Sequence, residues 1–358
     1  MRRAAIPLAF LAIAAVLAGC ASEPTTARLV YGVGTALPGA SPLWPSPPEV
    51  PRYAYAGVLT GEENFQVDGD KRGRSATFFR WLAGLDERDP HPVVLQRPVS
   101  GVVDERGRIY VTDASRQAVF VFDEAAGRLD VWDRAAGLRR FTSPVGVALG
   151  RDREVLVTDS ELGAVVRLGA DGSPLGLIGQ GVLKRPTGIA RDPVSRQVFV
   201  ADTSSHDIKV FDDDGRMLRS IGRRGEAEGE FNYPTFLSLR NGELYVTDSI
   251  NARVQVFAAD SGSFRRAVGT RGLFVGNLVR PKGVAVDGEG NLYVVESYYD
   301  NLLIYGPAGE FLMPLGGTGS AVGRFFLPAG VWTDERNRIF VADMFNGRVV
   351  VFSFLGGG

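Results

Sequence analysis

The chain is poor in the residues from which reactive centres are most often built. It has one cysteine, Cys20, in 358 residues, and two histidines, His91 in a DPHP loop and His206 in DTSSHDIKVF. A single thiol rules out an internal disulfide and any cysteine cage for zinc. G-x-S-x-G, a Walker loop and a G-x-G-x-x-G set between strand and helix are all missing. Serines such as Ser160 and Ser249 have no histidine beside them in sequence. Charge of one sign is missing too: 40 basic residues face 41 acidic ones, with no strongly basic tail, which excludes nucleic acid as a partner. There is one long apolar run, Ala4 to Ala18, and it is shorter than a membrane span.

That run follows Arg2 and Arg3 and ends in small residues, the layout of a secretory signal peptide over 1–19. Its end, Leu17-Ala18-Gly19-Cys20, resembles the bacterial lipobox. The resemblance implies cleavage before Cys20 and lipidation of that residue. Ala21 in the next position implies an outer-membrane lipoprotein facing the periplasm. Several acyl chains on one residue anchor durably where a single chain does not. The mature chain then has no thiol and a balance of 38 basic to 41 acidic residues, or −3. Residues 20–50, rich in Pro, Ser, Ala and Thr, read as a flexible tether with a mean reach of roughly 30 Å.

Prolines open short apolar strands at Pro98, Pro144, Pro186, Pro234, Pro281 and Pro328, at intervals of 46, 42, 48, 47 and 47 residues. Each is followed by a tight polar turn and then an alternating run that ends in an acid, as in RIYVTD, EVLVTD and ELYVTD. A second strand pair completes most units. Four period-2 strands per repeat, with no helical pattern between them, specify an all-β fold over 51–358: a six-bladed β-propeller of four-stranded blades. The P-x-G-[VI]-[AV] opening, the [YF]-V-[TA]-D core and the glycine-spaced IGRRGEAEGEFNYP segment resemble the NHL-repeat family over about 95–355. The last unit stops after its third strand, at RVVVFSFL, so the alternating run RYAYAGVL, 52–59, is expected to close the sixth blade and remove a sheet edge. SATFFRWLAGL, 75–85, reads as a short amphipathic helix capping the core, with lipid headgroup contact as the alternative.

The strand order puts the links into each opening proline on one face with the loops after the acids; the DERG-type turns lie on the other. The first face has the longer and more varied loops and is the expected binding surface. The repeated acids are Asp113, Asp159, Asp202, Asp248, Glu296 and Asp343. Six equivalent carboxylates suit a structural corner that accepts backbone N–H groups in the following loop. Glu296, one methylene longer and followed by Tyr298 and Tyr299, marks blade five as different. Arg97, Arg185 and Arg280 precede the prolines of blades one, three and five, and Lys282 follows that of blade five; such cations suit a carboxylate or phosphate. The resemblance also brings enzymes to mind. NHL-type amidating lyases use several histidines for zinc, and gluconolactonase-type propellers use Glu, Asn and Asp around a divalent ion; neither set stands beside the opening prolines here.

The expectation is therefore a lipid-anchored, monomeric binding or scaffolding propeller of the cell envelope, without a cofactor, metal site or catalytic residue. Its ligand would be a protein or an anion, met by Arg97, Arg185, Arg280, Lys282, Glu296, Tyr298 and Tyr299. The alternative is a metal-assisted hydrolase or lyase with its site at the channel mouth.

Overall fold

The computed structural model describes residues 27–32, 42–67 and 93–356. Cys20, His91 and the 75–85 segment lie outside them. Five of the blades are consecutive four-stranded antiparallel sheets: Pro98–Trp132, Pro144–Ile178, Pro186–Ile221, Pro234–Val268 and Pro281–Gly316. Each inner strand begins at its proline, whose ring has no N–H to leave unpaired at the sheet's start. The register shifts just after that proline in all five, bending the strand where it enters the channel wall.

The sixth blade is assembled from both ends of the chain. Val331–Thr333, Arg338–Asp343 and Arg348–Phe354 are its first three strands, and Tyr53–Leu59 is the fourth, paired antiparallel with Arg348–Phe354. The N-terminal closure expected from 52–59 is what the structure has. Leu43–Trp44 adds a short fifth strand outside it. Ala27–Leu29 pairs with Phe65–Val67 beside blade one, where Phe65 stacks on Phe122. Parts of 20–50 thus belong to the folded body, because Leu29 and Trp44 find apolar neighbours there.

Inner strands of neighbouring blades touch all round the ring, blade six against blade one included. This closeness explains the glycine of the opening motif. A Cβ on Gly146 would come within 3.0 Å of the Thr187 carbonyl of blade three, and one on Gly330 equally close to the Val99 carbonyl of blade one. Between blades, the alternating faces bury Phe120, Phe199, Phe257, Tyr293 and Phe352 among Val, Ile and Leu. Burial of each such side chain stabilises by about 1.5–3 kcal/mol. No helix among the described residues is long and apolar enough to cross a membrane.

Candidate functional site: the loop face of blade five

The six corner acids are almost completely buried. Asp113 accepts N–H groups from Gln96 and Arg97, at 2.6 and 2.9 Å, and from Ser115 and Arg116. Asp159 does the same with Thr142, Ser143, Glu161 and Leu162. The carboxylates therefore fasten two segments, the loop after the acid and the link before the proline; only the first was anticipated from sequence. Glu296 was expected to pack differently, yet it accepts the N–H groups of Val279, Arg280 and Tyr298. Its extra methylene is absorbed with the loss of a single contact of the Asp113 pattern.

In blades four and six the link turns differently. Tyr233 and Leu327 take left-handed φ values of 57° and 48°, which divert their N–H groups to the preceding blade. That of Tyr233 reaches His206 Nδ1 at 3.3 Å, and that of Leu327 reaches Asp300 at 2.7 Å. Asp248 and Asp343 fill the freed acceptor sites with Asn251 and Arg253, and with Asn346 and Arg348. His206, edge-on to Tyr233 at 4.6 Å, is a corner residue, as its position in the repeat suggested.

These anchors set where the predicted cations stand. The backbone N–H groups of Arg97, Arg185 and Arg280 are each held by the acid of their own blade, and the side chains project from the loop face. Arg97 lies over the Phe345 ring, 5.0 Å from its centre. Lys282 is half-buried at the channel mouth, and its ammonium is pushed below the usual lysine range by burial and then by Arg280. Blade five therefore gathers Arg280, Lys282, Glu296, Tyr298 and Tyr299, whereas Arg97 and Arg185 sit on blades one and three.

Two features of this face were not anticipated. Phe236 occupies the blade-four position that is glycine in blades two, three, five and six. It shares one apolar cluster with Val99 and Ala329, with Val145 and Met344 packed against it. A cavity of about 390 Å³ runs from Phe236 along the inner strands to Arg191, Arg240 and Glu335, so the channel opens toward the short turns. Second, the loop face carries an apolar tip, Leu273-Phe274-Val275, with 76%, 84% and 69% of each residue exposed. Beside it a pocket of about 200 Å³ is lined by the tip with Glu296, Tyr299 and Leu303.

The tip stands on a scaffold used three times. Segments 222–234, 269–281 and 316–328 share the spacing G-x-x-G-x-x-x-G and a buried Phe or Leu. Each forms a parallel bridge, Arg224 to Phe231, Arg271 to Leu278 and Thr318 to Phe325. Each tip is closed by the same turn bond, to the carbonyls of Ala227, Phe274 and Ala321. The tips themselves read Glu-Ala-Glu, Leu-Phe-Val and Ser-Ala-Val. Aligning the three links is the sequence signal that would have exposed the apolar one.

A wider cleft, about 750 Å³, is on the other face, among the turns of blades one to three. Part of its charge is paired: Arg191 with Asp213 at 2.7 Å, Arg151 with Asp214, and Asp104 with the neighbouring Arg108. The Arg191 guanidinium holds the Asp213 carboxyl below the usual carboxylate range. Among the described residues no group of three or more His, Cys, Asp or Glu side chains is placed to hold a metal ion.

Comparison with known proteins agrees with the architecture. A family model described as a 6-bladed beta-propeller matches residues 192–266. This chain is a six-bladed β-propeller. Protein brain tumor of Drosophila melanogaster is 29% identical over 133 residues, 36% of this chain and 12% of that protein. Peptidyl-glycine alpha-amidating monooxygenase A of Xenopus laevis is 30% identical over 224 residues, 57% of this chain and 22% of that one. The chain thus spans less than a quarter of either relative's length. A solved nidogen/laminin complex contains a chain of the same fold, with a TM-score of 0.53 at 20% identity, covering 68% of this chain and 84% of that one.

Proposed function

We propose that this propeller is a lipid-anchored binding module of the cell envelope, attached through Cys20 at the outer membrane, that holds a protein partner on its loop face at blade five. The observation that carries this reading is the exposed Leu273-Phe274-Val275 tip beside the Tyr298–Tyr299 loop, on a scaffold that takes the same bridge and turn with Glu226-Ala227-Glu228. Folding does not require an apolar tip, and exposed apolar groups of this kind are a mark of interaction surfaces. The nidogen/laminin likeness is one of fold, and a complex of that kind fits the same use of a propeller.

The tether supports the same orientation. Six residues separate Cys20 from Ala27, and Ala27 packs against Gly127 in a turn of blade one on the short-turn side. A fully extended chain of that length spans about 25 Å. An anchored molecule would keep its short-turn side near the bilayer and turn the loop face to the aqueous space. The enzymatic alternative draws less support, since Phe236, Val99, Ala329 and Lys282 give the loop-face mouth no carboxylate cluster.

The test is crosslinking in intact envelopes followed by fractionation. Wild type is expected in the detergent phase with a discrete protein adduct; Cys20→Ser is expected to lose membrane association. A wild-type chain that partitions as a soluble protein, or one that forms no adduct on the loop face, would overturn the reading.

A further inference from the structure

Resting on the blade-five reading above, we infer that the partner presents an acidic segment with apolar side chains, its carboxylates meeting arginines and its apolar groups covering the Leu273-Phe274-Val275 tip. The charge around the tip is one-sided. Segments 269–282, 317–327 and 344–347 contain Arg271, Arg280, Lys282 and Arg324 and no acid. The acids of the intervening corner, Glu296 and Asp300, are buried and committed to N–H and hydroxyl donors. Arg280 and Arg324 are exposed, so the sector shows cations and apolar groups without a compensating carboxylate.

The neighbouring link makes the contrast. On the same scaffold it carries Glu226, Glu228 and Glu230 beside Arg223, and Glu230 pairs with Arg223 at 2.9 Å. That link supplies acids for its arginines Arg223 and Arg224; the blade-five link has none, and while Arg271 donates to the Ile250 carbonyl, the exposed Arg280 faces no acid of its own link. Arginine forks bind carboxylates in bidentate fashion, and complementary charge of this kind fixes orientation and speeds encounter. The concave pocket of about 200 Å³ beside Tyr299 is sized for one inserted side chain and not for the flat surface of a bilayer.

The experiment selects a displayed library of short random peptides against the full chain, then measures winners by fluorescence anisotropy. The control variant carries Leu273→Glu, Phe274→Ala and Val275→Glu, copying the tip the sister link already folds with. Expected are sequences rich in Asp or Glu interleaved with aromatic or aliphatic residues. Their affinity should fall about thirtyfold in Phe274→Ala, the loss typical of a central anchor. In Arg280→Glu/Arg324→Glu, peptides with Lys in place of Glu should bind better than the originals. Neutral or basic winners, or acidic winners indifferent to the tip variant, would overturn the inference. So would tip-dependent co-sedimentation with phosphatidylglycerol vesicles in place of peptide binding, or a tip-dependent dimer seen by sedimentation. A partner crosslinked at Phe274 in envelopes whose contact segment is not acidic would sink this inference while leaving the blade-five reading standing.

Discussion

At the scale of single residues, the carboxylates that look most like chemistry in the sequence are fasteners. Asp113 is surrounded by four N–H donors, and an amide in its place turns one lone-pair edge into another donor. Asp113→Asn is expected to destabilise by about 3 kcal/mol, read as a lowered urea midpoint with unchanged slope. Lys282 is the opposite case, a half-buried cation with no carboxylate pulling on it. Lys282→Met should raise the melting temperature, because an unpaired ammonium leaves the protein surface. The pH dependence has a definite sign. The folded-state pKa lies below the unfolded one, so on raising the pH the folded state gives up this proton first, and wild-type stability rises over the interval below the ordinary lysine value of 10.5. Subtracting the Lys282→Met curve from the wild-type curve isolates that rise; a flat difference would remove the desolvation account of this lysine.

At the scale of elements, much was legible because it repeats. Six prolines, six turns and six acids fix the strand order, and an unfilled fourth strand next to an unassigned alternating run fixes the closure by 52–59. What stayed hidden depends on single departures from the repeat. Phe236 is an ordinary apolar residue in a strand until the ring brings blade four opposite blade one. Leu273-Phe274-Val275 resembles strand sequence, and its exposure follows from the three-dimensional course of the link. Glu296 misled for the reverse reason, since a side chain that differs in length still met the same donors. Two outcomes follow. Phe236→Gly should open the channel to the loop face and cost about 3 kcal/mol, the price of a large-to-small change in a packed cluster. A chain beginning at Thr60 exposes the edge of Arg348–Phe354 and should aggregate, whereas adding a peptide of residues 42–59 should restore a monomer by size exclusion.

At the scale of the whole molecule, the two faces divide their work. The short-turn face holds the wider cleft, where arginines and carboxylates are mixed and Arg151 and Arg191 are paired with Asp214 and Asp213. The loop face has the smaller pocket, with exposed apolar groups at the tip and cations without neighbouring acids in their segments around it. Each link is tied down by its own parallel bridge and turn bond, so a partner of the proposed kind would meet a surface that is already formed and costs little to order. The measurement that bears most directly on this division places a photoreactive amino acid at Phe274 in one chain and at Arg153, in the short-turn cleft, in another, with both irradiated in intact envelopes. A discrete protein adduct from position 274 and none from 153 is the predicted result; an adduct from 153 alone would contradict it.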